Sequence, residues 1–177
     1  MQRLRKAMLL ALMTASTAVF AQADTGYSLN GDKVHFSVPA DWVAIMQKHD
    51  GNPQAVIFQV PDPSAEANSG TASVTVKTRT LTNPAQFAAA VQSEFDLSKQ
   101  QTGYARDAAH SDGSAHQYFV QRGKTRYLVR DSFFLTGTVA VQVRCQRPLI
   151  ASTPQGWIAG FDAACARVFA SLKQPGK

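Results

Sequence analysis

Apolar and polar residues alternate along several short segments of this chain, and this period of two constrains the fold more than any other feature. Val139, Val141, Val143 and Cys145, for example, are spaced two residues apart. Side chains of a β-strand point alternately to its two faces, so this pattern predicts strands with a buried face. Strands are therefore predicted at residues 42–46, 55–60, 72–77, 116–121, 125–135 and 139–145, and a hairpin turning at Asn30-Gly31 is predicted within residues 27–38.

Two segments carry helix signals instead. Asn83, Pro84 and Gln86 form a capping-box pattern with proline at the first helical position, and Thr153-Pro154 opens a second helix by the same logic. Each segment then carries an apolar stripe at helical spacing. The stripes are Phe87, Val91 and Phe95 in the first helix, and Trp157, Phe161, Cys165, Val168 and Leu172, widened by Ile158 and Phe169, in the second.

The order of these elements predicts an α+β fold in which helices pack on the faces of an antiparallel β-sheet. A hairpin, the step Val38-Pro39-Ala40-Asp41-Trp42, a meander, a capped helix, a long hairpin and an aromatic-striped last helix together resemble the PsbP-like group. These are extrinsic photosystem proteins and their bacterial relatives. The resemblance implies an α/β/α sandwich that binds or assembles other molecules, and it brings no catalytic residues with it.

The first 23 residues predict export. Arg3, Arg5 and Lys6 precede an uncharged, mostly apolar run from Ala7 to Phe20, and Ala21-Gln22-Ala23 fits a cleavage site. These three parts are typical of a secretory signal peptide. We expect cleavage after Ala23, a single domain over residues 24–177, and a periplasmic location. The apolar run is too short to span a membrane, and no transmembrane segment is predicted.

Loss of this leader changes what the charge implies. The formal charge of +6 falls to +3 once Arg3, Arg5 and Lys6 are removed, which together with export argues against a nucleic-acid partner. The positive charge is also concentrated, because one segment contains six basic residues and a single acid, Asp131. The six are Arg122, Lys124, Arg126, Arg130, Arg144 and Arg147.

Four of these, Arg126, Arg130, Arg144 and Arg147, are the candidate binding residues. If residues 136–138 form the turn, Arg130 lies directly opposite Arg144, and like charges that face each other favour a bound anion or carboxylate. Such a face would attract an acidic protein, a lipid head group or a small anion. The alternative is a solvated sheet face whose arginines pair with carboxylates of the same chain.

Cys145 and Cys165 are the only cysteines. Two cysteines in an exported chain most often form one disulfide, and both fall on positions predicted to face the core. A zinc site would need more soft ligands, and a redox enzyme would favour a close Cys-x-x-Cys pair. The prediction is therefore a structural Cys145–Cys165 bridge, with no metal and no cofactor.

No catalytic motif is present. The sequence contains no Gly-x-Ser-x-Gly elbow and no glycine-rich phosphate loop. His110 and His116 flank a polar, turn-like segment and could join Asp107 or Asp112 in a metal or Ser-His-Asp site, but turns collect polar residues for structural reasons. We therefore expect no catalytic residues.

The sequence predicts a non-enzymatic binding, assembly or immunity-type module with a protein partner in the cell envelope. The two alternatives are a periplasmic hydrolase whose site is not visible in sequence, and a binder of small anions or lipid head groups. The functional surface is expected at the arginines or at the polar loop of residues 61–70, which is longer than most connections in compact domains.

Overall fold

The computed structural model describes residues 23–64, 71–113 and 115–172. The predicted signal peptide up to Gln22 lies outside these residues, as does most of the 61–70 loop. The described chain forms nine strands and two α-helices. They are β1 (Asp24–Leu29), β2 (Val34–Pro39), β3 (Val43–Lys48), β4 (Gln54–Val60), β5 (Ala72–Thr80), α1 (Phe87–Lys99), β6 (Ala105–Arg106), β7 (Ala115–Arg122), β8 (Thr125–Thr136), β9 (Val139–Pro148) and α2 (Gln155–Leu172).

Seven of these strands form one antiparallel sheet in the order β3-β4-β5-β9-β8-β7-β6. The hairpin β1–β2 stands apart as a two-stranded sheet. It packs on the same face of the large sheet as α2, where Phe36 lies edge-on to Phe58 with ring centroids 6.2 Å apart. The α+β class and the sandwich arrangement predicted from the alternation are confirmed.

Helix α2 covers the central strands. Its buried stripe is Phe161, Ala164, Cys165, Val168 and Leu172, which agrees with the helical spacing read from the sequence. The stripe packs on the buried face formed by Val74, Val143 and their neighbours in β4, β5 and β9. The Cys145–Cys165 disulfide joins β9 to α2, with Cα atoms 6.3 Å apart, so the predicted bridge is confirmed.

Helix α1 lies on the opposite face. Asn83 caps it through a short 3₁₀ turn (Pro84–Gln86), and the predicted capping box with Gln86 is present. Val91 is buried, and Phe95 meets Phe133 of β8 edge-on at 5.6 Å. Both faces of the sheet are therefore covered near its centre, while α2 leaves part of its own face open over β8 and β7.

Candidate binding face

The register of the β8–β9 hairpin differs from the prediction. Its turn has two residues, Gly137 and Thr138, and Arg130 lies opposite Cys145, while Arg144 lies opposite Asp131. Gly137 has a φ of +56°, which suits the first central position of a tight hairpin turn. The expected pair Arg130–Arg144 was wrong, because the predicted register placed Phe133 and Leu135 on the same face of the sheet as the valines of β9. In fact Phe133 packs under α1 and Phe134 faces the α2 side.

Arg144 consequently lies on the α1 side of the sheet, where its side chain is only 27 % exposed. Its Nε and Nη2 donate to the two carboxylate oxygens of Asp131 at 2.7 and 2.9 Å, and Nη2 lies 4.0 Å from Glu94. Asp131 is fully buried and also accepts a hydrogen bond from the hydroxyl of Tyr118 at 3.1 Å. Burial opposes the charge on Arg144, but the attraction of Asp131 outweighs it and raises the pKa of Arg144. This arginine matches the alternative of pairing within the chain.

Tyr118 and His116 complete the buried network under α1. Burial, followed by the neighbouring Asp131 carboxylate, raises the pKa of Tyr118 to about 12, so its hydroxyl remains a donor at neutral pH. His116 is 2 % exposed, its Nε2 lies 3.0 Å from the hydroxyl of Tyr104, and its ring stacks on Phe95 at 4.3 Å. His116 is thus a core histidine.

The buried ring of His116 predicts a loss of stability in mild acid. Burial lowers its folded-state pKa, outweighing the opposing effect of Asp131. Below a pH of about 6.5, the ordinary histidine pKa, His116 of the unfolded chain binds a proton while the folded chain keeps the ring neutral. The free energy of unfolding should therefore fall as the pH drops below this value. His116→Phe should reduce this slope in urea titrations between pH 7.5 and 5. His49→Phe, at an exposed position, is the control and should leave the slope unchanged.

The other three candidate arginines lie on the α2 side of the sheet. Arg126 and Arg130 of β8 are exposed, and neither forms an ion pair with a carboxylate in the part of the chain that the structure describes. The guanidinium of Arg126 lies 4.3 Å from the ring centroid of Phe119 on β7. Leu128, between the two arginines on the same face, is only partly buried. We call the surface of Gln117, Phe119, Arg126, Leu128 and Arg130 the cationic face.

A groove of about 310 Å³ separates this face from α2, and Gln117, Leu128 and Arg130 line it. Arg147 also lines it but is 9 % exposed, and its Nε lies 3.4 Å from Asp162 of α2. Arg147 therefore connects β9 to α2 at the groove, beside the disulfide. The structure brings together Arg126, Arg130 and Arg147 on one side of the sheet and places Arg144 on the other.

His110 and Asp107, which the sequence named as possible members of a metal or Ser-His-Asp site, meet at this groove. His110 lines it, and its Nδ1 lies 2.8 Å from Oδ2 of Asp107, which also accepts from Nε2 of Gln117 at 2.9 Å. The hydrogen bond from His110, followed by that from Gln117, holds the pKa of Asp107 below its usual value. His116, the other predicted partner, lies on the opposite face, so the two histidines do not form one site.

The serine and cysteine side chains beside this pair are already engaged in other bonds. The hydroxyl of Ser111 hydrogen-bonds to backbone groups of Asp107 and Gln117. Both cysteines are in the disulfide. The described residues also contain no cluster of three or more metal-ligating side chains, and none of their helices is long and apolar enough to cross a membrane.

Comparison with known proteins shows that this chain is similar in fold to solved structures. No protein-family model and no curated protein matches this chain. Among solved structures, the chain is similar to LpqN of Mycobacterium tuberculosis, involved in cell envelope biogenesis, at 13 % identity and a TM-score of 0.50, covering 82 % of this chain and 87 % of LpqN.

Two further solved structures are similar at TM-scores just below 0.5. One is PA94 of Pseudomonas aeruginosa, a protein of unknown function, at 18 % identity and a TM-score of 0.48, covering 87 % of this chain and 99 % of PA94. The other is the Ran-binding protein Mog1p of Saccharomyces cerevisiae, at 10 % identity and a TM-score of 0.49, covering 86 % of this chain and 93 % of Mog1p. The similarity to LpqN supports the sandwich fold of the resemblance, and membership of the PsbP-like group stays a prediction.

Proposed function

We propose that this protein is a non-enzymatic binding module of the cell envelope that engages an acidic protein segment through its cationic face. The observation that carries the proposal is the open α2-side surface of β7 and β8, where two exposed arginines flank partly buried apolar side chains. Arginine and aromatic residues are enriched where proteins bind one another. A location outside the cytoplasm is consistent with the disulfide, since such bridges persist in oxidising compartments.

The chemistry of the face favours a carboxylate-bearing polypeptide. Arg126 is positioned over Phe119, which orients its guanidinium without neutralising it. The planar guanidinium groups can each take a carboxylate in a bidentate manner. Leu128 and Phe119 offer apolar contact between these charges, which a polypeptide can match and a simple anion cannot. The envelope connection of LpqN is consistent with this assignment.

The Arg126→Gln/Arg130→Gln variant should test the proposal directly. Binding of fluorescently labelled poly-L-glutamate should weaken about tenfold or more and lose most of its salt dependence, because screening acts on exposed charges. The measurement is fluorescence anisotropy at several salt concentrations. The fold should be unaffected, since both side chains are exposed.

The matched control removes the same charge elsewhere. Lys33→Gln/Lys48→Gln also removes two exposed positive charges, neither of them on β7 or β8, and should bind as the unaltered protein does. Equal weakening by both variants would reduce the effect to net charge and overturn the proposed face. Binding to vesicles containing anionic lipid, with none to poly-L-glutamate, would instead support the head-group alternative.

A further inference from the structure

A second cavity lies on the other side of the sheet, between α1 and strands β5 and β9. Its volume is about 180 Å³. Apolar side chains form most of its lining, among them Phe87, Ala90 and Val91 of the first helix and Phe133 of β8. An apolar cavity of roughly 150 Å³ in another protein accommodates benzene, so this space suits a single aromatic ring or a short branched chain.

One polar group in the lining has no partner. Gln142 of β9 lines the cavity and is 6 % exposed, and its buried Nε2 makes no hydrogen bond among the described residues. Buried polar groups are nearly always hydrogen-bonded, because leaving one unpaired is costly. An unpaired amide donor beside an apolar cavity therefore indicates an acceptor on whatever fills that cavity.

The charges beside Gln142 define the acceptor further. Lys77 lies directly opposite Gln142 across the β5–β9 ladder, and Arg79 lies opposite Ala140 on the same face. Both basic side chains line the cavity, together with Glu94. Glu94 is already paired with Lys77, at 2.6 Å. Arg79 is exposed and forms no ion pair in the described part of the chain, so its charge is available to a ligand.

From this arrangement we infer that the cavity under α1 binds a small carboxylic acid with an apolar, ring-sized body. The body occupies the space between Phe87, Val91 and Phe133. The carboxylate accepts from Nε2 of Gln142 and lies within the attraction of Arg79. This site is separate from the cationic face, because the two lie on opposite sides of the sheet.

The probes are phenylacetate and its neutral counterpart phenylacetamide, followed by chemical-shift changes of backbone amides. Phenylacetate should shift amides around Val91 and Gln142 in a saturable manner, and phenylacetamide should bind about tenfold more weakly or worse, since charge-assisted hydrogen bonds are the stronger ones. Gln142→Leu should remove most of this preference for the acid. Arg79→Gln should weaken phenylacetate binding severalfold and flatten its salt dependence.

Steric variants on one helix provide the matched control. Ala90→Leu adds bulk to a side chain that lines the cavity and should abolish binding, whereas Ala89→Leu changes an exposed neighbour outside the lining and should bind within twofold of the unaltered protein. Unchanged binding in Ala90→Leu would overturn the site. Equal binding of acid and amide, or no saturable shift with phenylacetate, would overturn the assignment of ligand class.

Discussion

Asp131→Asn should lower the free energy of unfolding by about 3–5 kcal/mol, the usual cost of removing one partner from a buried ion pair. The carboxylate of Asp131 is fully buried and satisfies both Arg144 and Tyr118. Its loss leaves the Arg144 charge facing a neutral amide, with Glu94 4.0 Å away as the remaining acid. Urea unfolding at neutral pH measures the change.

An exposed pair on α1 provides the control for this substitution. Asp96 contacts Lys99 at 2.8 Å with both side chains about half exposed, so Asp96→Asn should leave the free energy of unfolding nearly unchanged. The Asp131→Asn/Arg144→Gln double variant should recover part of the loss, because no charge is then left unpaired. A cost for Asp131→Asn no larger than that for Asp96→Asn would show that Arg144 finds adequate solvation elsewhere.

Replacing both cysteines with alanine should lower the free energy of unfolding by about 3 kcal/mol. The bridge joins residues separated by 20 positions and thereby restricts the unfolded chain. In the chain-entropy model, this restriction accounts for the expected loss of about 3 kcal/mol. Urea unfolding of Cys145→Ala/Cys165→Ala gives the value.

Reduction provides an independent control for this prediction. A thiol reductant should destabilise the unaltered protein to a similar extent and leave the double variant unaffected. Thiol titration of the denatured, unreduced protein should find no free thiol. Two free thiols, or a variant as stable as the disulfide-bonded protein, would contradict the structural role of the bridge.

The candidate site was only partly accessible to sequence analysis. The concentration of arginines between Arg122 and Arg147 was visible, but whether each side chain is exposed depends on its strand register and its facing helix. A shift of one residue in the β8–β9 register takes Arg144 off the proposed binding face and makes it the partner of the buried Asp131. The cavity beside Gln142 was not visible at all, because it is formed by residues of α1, β5, β8 and β9 that are distant in sequence.

The sequence by itself determined the local helices and strands and the face that each of them buries in the core. Alternation in β5 and β9, the capping box at Asn83 and the stripe of α2 are local patterns, since steric and hydrogen-bonding preferences act over a few residues. The disulfide also followed, because both cysteines fall on core-facing positions. The β8–β9 register was decided only in the tertiary structure. Each face of β8 carries a phenylalanine, Phe133 on one and Phe134 on the other, so its alternation could not select the register. The register was fixed only where α1 packs on Phe133 and α2 leaves Arg130 uncovered.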